Sequence, residues 1–139
     1  MKKLITLLAF AASFNVYALS EQKAIDMVNQ YAELTTCSTE VLESLKYGPK
    51  GYVIIWDAAG CGGGSGGGSA MASVVQENAF YHDDIKITST LELGRFVPEN
   101  IHIKGDKLLF TELFHKNSDS NCCPTGKKEG EKQLPWISE

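Results

Sequence analysis

Basic residues are outnumbered in this chain of 139 residues: 13 lysines and arginines stand against 17 aspartates and glutamates, a formal charge of −4. Two of the basic residues, Lys2 and Lys3, open the chain; without them 11 remain against 17 acids, and the charge falls to −6. No basic footprint is left with which to grip a phosphate backbone or an anionic bilayer, so neither nucleic acid nor a membrane surface is expected as a partner. Long apolar runs are missing too. The stretch from Leu4 to Val16 is interrupted by Asn15 and falls short of the roughly 20 residues that a spanning helix needs. No cysteine comes directly after it, which argues against bacterial lipoprotein processing.

The opening MKKLITLLAFAASFNVYA instead has the layout of a secretory signal: a positive start, a short apolar core, and small residues at Val16-Tyr17-Ala18 for cleavage. The expected organisation is a signal peptide over 1–18 and a single domain over 19–139, mature from near Leu19 and periplasmic or secreted. The remaining 121 residues suffice for one core without staples.

Cysteines are few but even in number. Cys37, Cys61, Cys122 and Cys123 all lie in the exported part, and an oxidising compartment favours two disulfides with three connectivities. Cys122 and Cys123 are neighbours, so either they close a strained eight-membered ring or each reaches a distant partner. The second arrangement is the plainer one, and the sequence leaves both open.

Ser20 can cap a helix running to about Thr35, with Glu21 in its first turn. Ala24, Val28, Tyr31 and Thr35, flanked by Ile25 and Ala32, share its predicted face. The spacing of Val41, Leu42 and Leu45 predicts a second, shorter helix from Ser38 to Gly48-Pro49. The period then changes. Tyr52-Val53-Ile54-Ile55-Trp56 reads as a buried strand, and Met71 to Phe80 as its partner. Ile85 to Leu93 alternates apolar and polar residues, as a half-buried strand does. Ile101–Ile103 and Lys107–His115 flank a hairpin turn at Lys104-Gly105-Asp106, and a last strand lies around Lys132 to Leu134. The fold class is α+β: an N-terminal helix or helix pair packed on an antiparallel β-meander of about five strands.

The glycine run from Gly60 to Ser69 matches several functional patterns, each of which fails on context. Gly62-x-Gly64-x-x-Gly67 spells a dinucleotide fingerprint, but that motif must open a helix, and the residues after Gly67 read as strand. No Gly-Lys-Ser/Thr closes a phosphate loop. Gly63-x-Ser65-x-Gly67 spells a nucleophile elbow, with Asp83 and then His102 or His115 after it in the hydrolase order. Seven nearby glycines work against the strained turn that such an elbow requires. The run is better read as a long hairpin loop between paired strands, with Gly62, Gly63, Gly64, Ser65 and Gly66 as a candidate binding surface.

Metal and cofactor readings are weak. His82-Asp83-Asp84 reads as turn residues before a strand, without the tight ligand pairing of a metal site. Asn117-x-Asp119-x-Asn121 opens like a calcium loop, but Cys122 stands where glycine is needed and Lys128 at position twelve. Cys122 and Cys123 lack the C-x-x-C spacing of redox motifs, although Lys127 and Lys128 are near enough in sequence to lower a thiol pKa. No catalytic residue, metal or cofactor is expected.

Asp119-Ser120-Asn121-Cys122-Cys123-Pro124-Thr125-Gly126 is the most distinctive segment. It resembles the D-x-x-C-C-P-[ST] signature near the C-terminus of a group of small secreted bacterial proteins, the LppP/LprE-like lipoproteins among them. A strand leading into a glycine- and serine-rich loop, further strands and then the double cysteine extend the resemblance over roughly Tyr52 to Leu134. The chain departs from the group in lacking the lipid-attachment cysteine and in carrying Cys37 and Cys61. The resemblance implies that the glycines belong to the native fold and that the double cysteine is a structural mark; it implies no catalytic mechanism.

The function expected is non-catalytic binding or structure in the bacterial cell envelope, toward a protein or envelope component. The glycine loop and the loop bearing Asp119, Asn121, Pro124 and Thr125 are the candidate surfaces. Two alternatives stand beside it: an acidic inhibitor or immunity-type protein that blocks an enzyme's cleft, and a small enzyme, hydrolytic through Ser65 or redox-active through Cys122 and Cys123.

Overall fold

A computed structural model describes residues 19–36, 38–59, 68–77 and 85–136. The expected signal segment 1–18, Cys37, Cys61, the glycine run with Gly62, Gly63, Gly64, Ser65 and Gly66, and His82-Asp83-Asp84 lie outside the described residues. The elements in chain order are α1 (Glu21–Thr35), β1 (Ser38–Lys46), β2 (Gly51–Ala59), β3 (Gly68–Glu77), β4 (Ile85–Gly94), β5 (Glu99–Lys104), β6 (Lys107–Phe114) and β7 (Gly126–Gln133). They form two antiparallel sheets, β1-β2-β3-β4 and β5-β6-β7, in which every hydrogen-bonded neighbour is also a neighbour in sequence. One face of the first sheet packs on α1 and the other on the second sheet, so the first sheet is the middle layer.

The helix starts where its capping chemistry places it. The Ser20 hydroxyl accepts the Lys23 N–H at 3.2 Å, and Thr36 N–H closes the far end on Ala32 O at 2.8 Å. Its buried stripe is Ala24, Val28 and Ala32, small residues that allow a close approach to the sheet. Tyr31 and Thr35, expected on that face, are exposed instead, and Tyr31 only touches the Trp56 ring edge-on with centroids 6.2 Å apart. Just before the cap, the Leu19 side chain enters the helix–sheet core and its N–H donates to Glu77 Oε2 at 3.1 Å.

The middle layer explains the apolar run of β2. Val53 and Ile55 face the second sheet, while Ile54 and Trp56 face the helix, so all four are buried. β3 pairs with β2 as expected, Val53 opposite Val74 and Ala59 opposite Gly68, which makes residues 60–67 the hairpin connection. Polar groups inside the helix-facing core are bonded to one another. Trp56 Nε1–H donates to Ser73 Oγ at 2.9 Å, and Ser73 Oγ lies 3.0 Å from Thr90 Oγ1.

Two expectations are corrected. The segment Ser38–Lys46 is a strand and not a second helix, and the strands number seven in two sheets where about five in one meander were expected. Spacing misleads in β1 because of a bulge between Val41 and Glu43. The extra residue, Leu42, shifts the phase of alternation. Val41 therefore packs toward the helix and Leu45 toward the second sheet, a pattern with no period of two.

β7, GKKEGEKQ, spans far more than the Lys132–Leu134 expected and has no apolar side chain. Its two glycines are what tie it to β6. Gly126 lies opposite Phe114 and Gly130 opposite Phe110, and each phenyl ring lies over its glycine so closely that a Cβ there would collide with it. Each ring thus covers backbone that a side chain would otherwise shield. The hairpin turn at Gly105 falls where the sequence puts it, with φ of +63° at that glycine.

Beyond β7 the chain crosses from one sheet to the other. Leu134 is buried between the sheets, and its N–H donates to Asp106 O at 2.8 Å beside the β5–β6 turn. Pro135 O accepts the Tyr47 hydroxyl at 2.7 Å, and Trp136 O accepts Gln76 Nε2 at 3.3 Å, both on the first-sheet side. Burial, with Asp106 nearby, raises the Tyr47 phenol above its ordinary pKa and keeps it a donor. No helix among the described residues is long and apolar enough to cross a membrane.

Candidate functional site

Residues 115–125 connect β6 to β7 and carry the segment singled out by sequence. The loop is closed at its base by the Phe114–Gly126 pair and organised from within by one carboxylate. Asp119 Oδ2 accepts the backbone N–H groups of Lys116 and Thr125, each at 2.8 Å, and Oδ1 accepts the Thr125 hydroxyl at 2.7 Å. Bonds from the Thr125 hydroxyl, then from the Lys116 and Thr125 amides, hold the carboxyl down to about 2, far below the usual carboxylate range. The first and last defining residues of the D-x-x-C-C-P-T segment thus bond to each other across the cysteines. Two backbone turns complete the loop: Asp119 N–H to Lys116 O at 3.0 Å and Cys123 N–H to Ser120 O at 3.1 Å.

Cys122 and Cys123 are bonded to each other. Of the two arrangements the sequence left open, the structure takes the ring between neighbours rather than the plainer pairing with distant cysteines. Both cysteines are exposed, as is Asn121, and Ser120 Oγ lies 3.3 Å from Cys122 Sγ. Asp119, Pro124 and Thr125 sit on the same loop, so the structure brings all the C-terminal candidate residues together. Asp119 faces inward as an acceptor for protein donors, an arrangement that suits loop bracing and does not suit calcium ligation. No group of three or more His, Cys, Asp or Glu suited to a metal ion occurs among the described residues.

The loop leans on its neighbours. The His115 ring meets Phe96 edge-on with centroids 4.9 Å apart, fixing the loop to the chain that leaves β4. Lys127 bridges to Glu99 at 2.6 Å at the start of β5. The glycine connection leaves β2 at Ala59 and enters β3 at Gly68, the end of the first sheet at which β4 also finishes. Both candidate surfaces therefore spring from strand ends near the 94–98 connection. His102, the other histidine considered for catalysis, is on β5 with Nδ1 2.8 Å from Asn100 O.

Sequence reasoning did not find one further feature. An open groove of about 390 Å³ lies between the end of β4 and the β6–β7 ladder, lined by Glu92, Gly94, Phe110, Glu112, Glu129 and Glu131 among others. Its charge is partly compensated: Glu112 bridges Lys128 at 3.2 Å, Glu131 bridges Lys107 at 2.7 Å, and Glu92 accepts the Ser69 hydroxyl at 3.0 Å. Three strands far apart in sequence build it, so no local motif announces it; the lone signal is Gly130 inside a charged strand. Comparison of the chain with protein-family models, curated proteins and solved structures gives no significant match.

Proposed function

We propose that this chain is an exported, non-catalytic binding protein of the bacterial cell envelope, presenting the 115–125 loop to a protein or envelope partner. The observation that carries the reading is the use of Asp119. Its three internal bonds make a braced loop, and the disulfide between adjacent cysteines stiffens its exposed tip. A loop ordered before binding loses little conformational freedom on contact, which favours recognition. The resemblance to the LppP/LprE-like group fits this reading, since the Asp and Thr that define the segment are the two residues that brace it. The glycine connection supplies a second surface springing from nearby strand ends.

A photo-crosslinking side chain at Ser120, introduced into the exported protein in growing cells, tests the proposal. One discrete crosslinked product is expected, and it should disappear in the folded Asp119→Ala variant. Absence of any product at Ser120 and at Asn121 would count against the loop. A redox role is the second reading, favoured by the exposure of the Cys122–Cys123 bond. It requires that an envelope dithiol reduce the bond, becoming a disulfide itself, and that an envelope disulfide re-form it, being reduced in turn; thiol labelling of protein taken directly from cells would reveal the reduced fraction.

A further inference from the structure

We infer that removal of residues 1–18 puts a charge on a contact the fold already makes, because the α-amino group freed at Leu19 is placed to form a buried ion pair with Glu77. The inference rests on the export reading and adds to it. Leu19 is 5% exposed and Glu77 4%, and the Leu19 nitrogen donates to Glu77 Oε2 at 3.1 Å. That nitrogen is the atom which cleavage after Val16-Tyr17-Ala18 would turn into the amino terminus.

The chemistry is peptide hydrolysis by an endopeptidase. Water adds across the Ala18–Leu19 bond and the C–N bond breaks. Ala18 departs with the released peptide as a carboxylate, and the proton it gives up leaves the Leu19 amine as an ammonium. The donor facing Glu77 thus changes from a neutral amide to a cation. Buried charges are stabilised by pairing, and a charge-assisted hydrogen bond is roughly twice as strong as a neutral one.

Both sides of the contact are held in place. The Leu19 side chain is locked in the helix–sheet core, and the next residue, Ser20, caps α1. The Glu77 N–H is bonded to Lys50 O at 3.0 Å. Cleavage after Leu19 would remove the residue whose nitrogen makes this contact, and cleavage before Ala18 would leave that nitrogen a neutral amide.

The test uses full-length protein exported and processed by a bacterial host. N-terminal sequencing should read Leu19, and any other terminus overturns the inference along with the processing site. The α-amine is then acetylated at mildly acidic pH, where it outcompetes lysines, and its rate is followed by peptide mass spectrometry. The folded protein should react about tenfold or more slowly than the urea-unfolded protein, the change expected for one unit of amine pKa. Glu77→Gln should recover most of the lost rate. Equal rates in folded and unfolded protein, or full protection retained in Glu77→Gln, overturn the inference and leave the export reading standing. Should Glu77→Gln not fold, wild type acetylated in urea and then refolded should show a lower Tm than the mock-treated protein; an unchanged Tm is the contrary result.

Discussion

Asp119 accepts three hydrogen bonds from its own loop, and it does so as an anion. Its carboxyl is depressed from an ordinary value of 3.8 to about 2, so the contribution to stability is fully present above the unfolded-state value. It is lost as pH falls from about 4 through about 2. Amide resonances of Lys116 and Thr125 in the folded protein should therefore stay fixed down to about pH 3 and shift together in a transition centred near pH 2; in Asp119→Asn that shared transition should be absent. Ser73 plays the comparable part in the interior, accepting from Trp56 and meeting Thr90. Ser73→Ala leaves the buried indole N–H without its acceptor, and urea unfolding should register a loss of about 1–3 kcal/mol.

Strand β7 forms through what its partner offers, since its own side chains are charged, polar or absent. In Gly130→Ala the new methyl would push into the Phe110 ring, and thermal unfolding should show a loss of about 1–3 kcal/mol, as for other overpacked sites. Phe110→Leu should shrink that loss, giving a coupling between the two positions that separate substitutions do not predict. The same elements show what the sequence could and could not disclose. Ile85 to Leu93 was legible because a half-buried edge strand must alternate, and Tyr52 to Trp56 because a strand buried on both faces must be apolar. β1 was illegible because the bulge at Leu42 breaks the period, leaving a spacing that fits a helix. β7 was illegible because its apolar cover comes from Phe110 and Phe114 on another strand. In the site, Asp119, the double cysteine and Thr125 were visible as a motif, but not that Cys122 and Cys123 bond to each other. The groove and the Leu19–Glu77 contact join distant residues, and no local pattern encodes them.

At the scale of the whole molecule, the layers depend on the segment from Leu134 to Trp136, which is anchored to Asp106 on one sheet and to Tyr47 and Gln76 on the other. Leu134→Ala removes a side chain packed between the sheets and should cost about 2–5 kcal/mol in chemical denaturation. Hydrogen exchange should then quicken in β6 and in β2 alike, since the lost contact is shared.

The two sheets also differ in when they can assemble. Each is a meander whose strands pair with their sequence neighbours, so each needs only short loop closures to form. The helix and the first four strands precede the second sheet in chain order, and the Leu134–Trp136 crossing comes after all seven strands. A chain interrupted before Leu134 can therefore build both sheets and still lack the latch between them. It would expose the apolar faces of two otherwise finished meanders, an aggregation-prone species made of native parts.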